Sequence, residues 1–223
     1  MQGEKYAVIV AGGKGTRMQS SVPKQFLQIH GKPVMVHTIE KFRKSVSSLT
    51  IICVLPRDQM DIWFSLKEKW ELKDVLETVG GDTRFDSVRN GLSLIDEMRG
   101  IVAIHDAVRP CITEDVIANA YKVAGKSGSA VVSVPLKDSI REVAGYTSSA
   151  VDRTKFRIVQ TPQTFKLDLL RRAFKKVDNN LFTDDASVFE SAGYDVTLID
   201  GNYQNLKITT PEDLEIAKIF LTK

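Results

Sequence analysis

Short apolar, β-branched runs recur along the 223-residue chain, with longer helical patterns between them. They are Tyr6–Val10, Leu49–Leu55, Glu77–Val79, Ile101–His105 and Ala130–Val134. A strand with one wet face alternates apolar and polar residues, whereas these runs are apolar at nearly every position, so both faces must be buried. Helices on both sides of a mainly parallel sheet achieve this, and the α/β class is the expectation. The intervening stretches supply the helices. Ile62, Trp63, Leu66 and Trp70 recur at helical spacing, which assigns both tryptophans to the core. Asp115–Ala124 and Leu167–Val177 read as further helices. At Thr210-Pro211-Glu212-Asp213 a hydroxyl can cap, proline fits the first helical position and Asp213 can reach back. A last helix through Leu214, Ile216, Ala217 and Phe220 follows.

The pattern breaks between residues 136 and 165. Lys137–Val143 alternates polar and apolar residues, Gly145 marks a turn, and Thr147-Ser148-Ser149 leads to Val151-Asp152-Arg153. This predicts a hairpin-like arm protruding from the sheet. An isolated hairpin has little core of its own, so packing against a second copy of the chain would cover it. No repeat, low-complexity tract or linker divides the sequence, and one domain, 1–223, with an arm at about 136–165, is expected.

Charge and cysteine usage narrow the function. Thirty-one basic residues against 28 acidic give a net charge of +3. That is too little for a polyanion-coating protein, so nucleic acid is not the expected partner. No apolar run has the length to cross a membrane, and with Met1-Gln2-Gly3-Glu4-Lys5 leading straight into the first strand no signal peptide is expected. Of the two cysteines, Cys53 lies within an apolar strand and Cys111 has no metal-ligand spacing to it. A cytoplasmic location is expected.

The segment richest in chemistry follows the first strand directly: Ala11-Gly12-Gly13-Lys14-Gly15-Thr16-Arg17-Met18. At the carboxyl end of a parallel strand, glycines let backbone N–H groups turn inward towards phosphates. Lys14 and Arg17 add charge where a polyphosphate would lie. A Walker loop would need Lys-Ser/Thr after the last glycine, where Thr16-Arg17 stands. A dinucleotide fingerprint would need a small residue at Met18 and an acid at the end of the second strand. For the loop alone, an ordinary glycine turn is the competing reading.

The loop does not stand alone. Pro23-Lys24-Gln25-Phe26 follows it, then Gly80-Gly81-Asp82 through Asp86-Ser87-Val88, and His105-Asp106-Ala107-Val108-Arg109-Pro110. Val151-Asp152-Arg153, Gln160-Thr161-Pro162-Gln163, Thr183-Asp184-Asp185-Ala186-Ser187 and Asn205-Leu206-Lys207-Ile208-Thr209 complete the series. In this order the set resembles the 2-C-methyl-D-erythritol 4-phosphate cytidylyltransferase family from about Tyr6 to Leu221. Two positions depart mildly: Val10 stands where proline is often found, and Ser139 where threonine is common.

The resemblance implies a Rossmann-like nucleotidyltransferase fold and transfer of CMP from CTP to the polyol phosphate, releasing pyrophosphate. Arg17, Lys24 and Lys207 are implied as catalytic cations, the first two on the triphosphate and Lys207 near the incoming phosphate. Ala11, Gly12, Gly13, Lys14, Gly15 and Thr16 would cradle the nucleotide. Gly81, Asp82 and Ser87 would surround cytosine, with Ala107 by the ribose. Asp106 is expected near CTP and a divalent cation, Mg²⁺ by preference; a carboxylate tied to backbone N–H groups before Pro110 is the alternative. Arg153 matches the cation on the polyol phosphate, and Ser139, Thr161 and Thr183 match polar contacts. Arg109 either orders its loop or touches a phosphate, and His105 reads as structural. A homodimer interlocked through the arm would complete each site. Ribitol-5-phosphate cytidylyltransferase is the nearest competing activity, and Thr183-Asp184-Asp185-Ala186-Ser187 favours methylerythritol phosphate over it. A nicotinamide-dependent reductase and a non-catalytic nucleotide-binding module are more distant alternatives.

Overall fold

The computed structural model describes residues 4–12, 18, 20, 22–177 and 182–221. Strands β1 (Lys5–Val10), β4 (Leu49–Leu55), β5 (Leu76–Val79), β6 (Ile101–Asp106), β7 (Ser129–Pro135), β10 (Arg157–Lys166) and β11 (Leu198–Asp200) form a seven-stranded sheet. Its order is β11-β7-β10-β6-β1-β4-β5. β10 runs antiparallel to β6 and β7, while the other pairs are parallel. Two small hairpins, β2 (Gln28–Ile29) with β3 (Lys32–Pro33) and β8 (Ile140–Ala144) with β9 (Thr147–Val151), lie apart from it.

The apolar runs serve two cores, as period-two geometry requires. In β1, Ala7 and Ile9 face a cluster built with Ile39 and Phe42 of α1 (Val34–Ser45) and with Ile117, Ala120 and Tyr121 of α4 (Glu114–Ser127). Tyr6, Val8 and Val10 face the opposite cluster, with Phe85 and Val88 of α3 (Arg84–Ser93), Leu170 and Phe174 of α5 (Leu167–Lys176) and Phe189 of α6 (Asp185–Ser191). Fully buried side chains such as Ile9 and Ile52 are each worth about 1.5–3 kcal/mol. The last helix, α7 (Pro211–Phe220), starts with the expected capping box: Thr210 accepts from the Asp213 N–H, and Asp213 accepts from the Thr210 N–H.

Two expectations change. Trp63 of α2 (Met60–Lys69) is fully buried, but Trp70 is only partly so and Ile62 is exposed. α2 covers the margin of the sheet near β5, so only one narrow stripe of it finds a partner. The arm is also shorter than 136–165. The β8–β9 hairpin turns at Gly145, whose φ of 59° suits a two-residue hairpin loop. From Arg157 onwards, however, the chain is β10 and enters the sheet, with Phe165 fully buried. Pro162 and the polar residues around it disguise this strand. A register shift between Val159 and Gln163 accommodates them.

Candidate active site

At the carboxyl ends of β1, β4 and β6, the position where open α/β sheets bind ligands, lies a cavity of about 750 Å³. Gly12, Gly81, Asp82, Ser87, Asp106 and Lys207 line it together. Gly13, Lys14, Gly15, Thr16 and Arg17 lie outside the described residues.

One wall is the turn before α3. Its glycines answer a close approach: a Cβ on Gly80 would stand 2.8 Å from the Ser87 Oγ, and one on Gly81 2.3 Å from the Asp86 Cβ. The Ser87 hydroxyl accepts from the Gly81 N–H (3.2 Å) and donates to the Thr83 carbonyl (2.9 Å). Thr83 caps α3 by accepting from the Asp86 N–H, so a positive helix end abuts the cavity. Ala11, where the glycine loop begins, is pinned from behind. Its N–H donates to Val54 O and its carbonyl accepts from the Gln25 side-chain amide (3.0 Å), which also donates to Gln59.

The floor is built around Asp106. Its Oδ2 lies 3.1 Å from the Arg109 Nε and 3.2 Å from the Lys207 Nζ, and its Oδ1 is 4.0 Å from the Arg84 Nε. Burial alone would raise the carboxyl pKa. The charges of Lys207, Arg84 and Arg109 outweigh it and hold Asp106 ionised, well below the usual carboxylate range. Arg109 also donates to Asn205 O (2.8 Å), and Ile208 N–H donates to Val108 O. These bonds strap the segment carrying Lys207 along the Asp106 loop. Lys24, next to the cavity-lining Pro23, donates to Ile208 O at 3.1 Å. Asp106, Arg109 and Lys207 therefore meet, with Arg109 ordering the loop and Lys24 bonded beside Lys207. Asp106 is tied to side-chain cations rather than to the backbone N–H groups of its turn.

Ala107 and Thr161 are buried behind the cavity rather than lining it. The Ala107 N–H donates to Val10 O, and its carbonyl accepts from the Thr38 hydroxyl. The Thr161 hydroxyl accepts from the Asp106 N–H (3.1 Å), which leaves its proton for His105 Nδ1 (3.1 Å); the His105 Nε2–H then donates to Arg109 O. Burial pushes the His105 pKa down to about 3, so the ring is neutral and both nitrogens are committed to holding the loop. Ser139, Arg153 and Thr183 are exposed and do not line the cavity within this chain. Arg153 donates to Lys137 O at the base of the arm.

The reading of individual residues missed Arg84. It lines the cavity, and its guanidinium donates to Asp185 at 2.7 Å. Asp185 is 1% exposed; burial raises its pKa against the opposing charge of Arg84. Asp185 opens α6 one residue after Asp184, which caps that helix and accepts from the Gln163 amide (2.9 Å). Asp185 and Gln163 both fall in motifs that the sequence shows, but nothing in the spacing of Asp185 points to a partner 101 residues away. Gln25 and Asn205 were missed likewise, since their work is to hold backbone carbonyls.

Comparison with known proteins adds an independent finding. The family model described as IspD, 2-C-methyl-D-erythritol 4-phosphate cytidylyltransferase, matches residues 6–223. The chain is 46% identical to the 2-C-methyl-D-erythritol 4-phosphate cytidylyltransferase of Bacteroides thetaiotaomicron over 215 residues, 96% of this chain and 98% of that protein. It is 42% identical to the Porphyromonas gingivalis protein of the same name, with both chains covered completely. Among solved structures, 4-diphosphocytidyl-2C-methyl-D-erythritol synthase from Anaerococcus prevotii superposes with a TM-score of 0.85 at 27% identity, covering 99% of this chain and 97% of that one.

Proposed function

The chain belongs to the 2-C-methyl-D-erythritol 4-phosphate cytidylyltransferase family, and from that premise we propose how its residues carry CMP from CTP to 2-C-methyl-D-erythritol 4-phosphate. Membership also favours this acceptor over ribitol 5-phosphate, and a transferase over a nicotinamide-dependent reductase.

A phosphate oxygen of the acceptor attacks the α-phosphorus of CTP. One P–O bond forms, the bond from that phosphorus to the bridging oxygen breaks, and pyrophosphate departs with the electron pair. A phosphate monoester has its second pKa near roughly 6, so at neutral pH the nucleophile needs no base. His105 suits this, because neither ring nitrogen is available to take a proton. The barrier is repulsion between anions, and fixed cations lower it. The observation that carries the reading is the pairing of Lys207 with Asp106 in the cavity, with Lys24, from a third distant part of the chain, bonded to Ile208 O beside Lys207. Lys207 and Arg84 offer charge at the cavity and Lys24 at its rim; Arg17 is assigned by the family pattern. Gly12, with the loop from Ala11 to Thr16, receives the phosphates. Gly81, Asp82 and Ser87 take the base, and Ala107, Thr161 and Arg109 support the floor from behind.

A divalent cation, Mg²⁺ by preference, fits Asp106. The carboxylate is a hard, ionised donor at the cavity, and among the described residues the ion pair made by its Oδ1 is the long 4.0 Å contact with Arg84. Among the described residues no group of three or more acid, histidine or cysteine donors could hold a metal, so substrate phosphates would supply the remaining ligands. Bound there, the ion would neutralise triphosphate charge.

Ser139, Arg153 and Thr183 are assigned to the acceptor, the first two reaching a neighbouring site through a homodimer. Supporting this, the arm leaves Val143 73% exposed, with Tyr146 bare at its tip, more apolar surface than a lone hairpin can cover. The buried free thiols Cys53 and Cys111 suit a reducing, cytoplasmic setting. Among the described residues no helix is long and apolar enough to cross a membrane.

Pyrophosphate release with CTP and Mg²⁺ tests the acceptor: methylerythritol 4-phosphate should support turnover far better than ribitol 5-phosphate. Release with ribitol 5-phosphate alone would overturn the assignment.

A further inference from the structure

A second cleft, of about 480 Å³, lies between α3 and α5, apart from the residues of the active site. Leu92 and Phe174, both buried, give it an apolar floor, and Met98, 76% exposed, stands at its edge. Its frame is fixed. Arg171 of α5 donates to the carbonyls of Leu92 (3.1 Å), in the last turn of α3, and of Ile95 and Glu97 in the segment just after it, which ties that segment to α5. The rim is charged: Arg89, Arg171, Arg172 and Lys175 face one carboxylate, Asp168. With Asp86 beside Arg89 and Glu97 beside Arg171 counted as well, four cations stand against three acids, which leaves the rim net positive. The Arg89 and Arg172 side chains are 55% and 69% exposed, so an anion arriving from solvent can reach them. An apolar body on the floor would release water, while the cations would hold a negative head.

Arg89 joins this cleft to the active site. It pairs with Asp86 at 2.7 Å, and Asp86 accepts from the Thr83 hydroxyl at 2.7 Å and packs on Gly81. Thr83 and Gly81 line the nucleotide cavity. We propose that the cleft between α3 and α5 binds a small amphiphile with an apolar tail and an anionic head, and that by drawing Arg89 from Asp86 the ligand alters nucleotide affinity. Arg89 is 55% exposed in this pair, so solvent screens it and the effect on CTP binding is small, about two- to fivefold.

Calorimetric titration of the full chain with octyl phosphate below its micelle concentration tests this without turnover, and so independently of the transfer reaction. Saturable one-to-one binding is expected, at least about tenfold tighter than inorganic phosphate or octanol alone, and weakened about tenfold or more in Arg172→Glu/Lys175→Glu. Both substituted positions are on the surface, so the variant should fold. Equal binding by that variant, or by phosphate without the tail, would overturn the site. CTP affinity unchanged at saturating octyl phosphate would overturn the link to the cavity. If Met98→Asp instead separated two copies of the chain in sedimentation, the occupant would be a second protomer and the proposal would fall.

Discussion

Asp106 and Arg153 are both charged and both lie at strand ends, yet their surroundings differ sharply. Asp106, closing β6, is approached by three cations of its own chain. Arg153, just beyond β9, donates to one backbone carbonyl and otherwise faces solvent. The floor of the cavity is preorganised: Asp106, buried at the end of the sheet, is paired with cations from α3 and from the flanking loops. The arm is not, and it needs something outside the protomer to make its side chains useful. Differential stabilisation of a transition state demands fixed charges, whereas recognition of an acceptor can tolerate groups that a second subunit brings into place. On this reading, loss of a floor residue should damage the fold or the chemical step, and loss of an arm residue should damage acceptor binding.

The hardest test of that contrast is Arg84→Met. It leaves Asp185 buried without its partner and should cost about 3–5 kcal/mol of stability in urea unfolding; a loss below about 1 kcal/mol would mean that the pair is not structural. Next, Lys24→Ala should lower turnover about 100- to 1000-fold in a pyrophosphate-release assay while the fold stays intact. Near-normal turnover would remove Lys24 from the mechanism. Arg153→Ala should raise the KM for methylerythritol 4-phosphate about 10- to 100-fold, with CTP affinity and unfolding unchanged. If CTP affinity fell as well, the arm and the floor would be a single unit.

The smallest effect concerns pH. The unfolded chain protonates His105 near its ordinary pKa of about 6.5, whereas the folded chain, with that pKa near 3, refuses the proton. Stability from this group is thus complete above the unfolded value and is lost as the pH falls towards the folded one. Between pH 7 and 5 the loss amounts to about 2 kcal/mol, and it should be smaller in His105→Gln. Asp106, with its pKa lowered, adds acid sensitivity of the same sign below the carboxylate range. Asp185, with its pKa raised, opposes it.

Much of this organisation was legible in the residues alone. Strands buried on both faces announce themselves as unbroken apolar runs, and β1, β4 and β6 were read for that reason. A capping box is equally local, and Thr210 to Asp213 was recognised by its spacing. β10 was hidden because polar side chains and Pro162 occupy positions where the strand bulges and turns its polar groups to the Asp106 loop. Arg84 escaped because an ion pair between α3 and α6 exists only once the chain has folded. The glycine loop showed where phosphates should go, but not that Gly80 and Gly81 are demanded by Ser87 and Asp86 pressing from the next helix.

The antiparallel course of β10 has a further bearing on how such a protein can change. Pro135 and Arg157 are register partners, so the excursion leaves and re-enters the sheet at adjacent points. Lengthening a closed loop is cheap, about 0.6 kcal/mol for each doubling. The protrusion can therefore grow, shrink or exchange its sequence while the sheet beneath stays in register, and new contacts between protomers can be tried without disturbing the machinery for CTP.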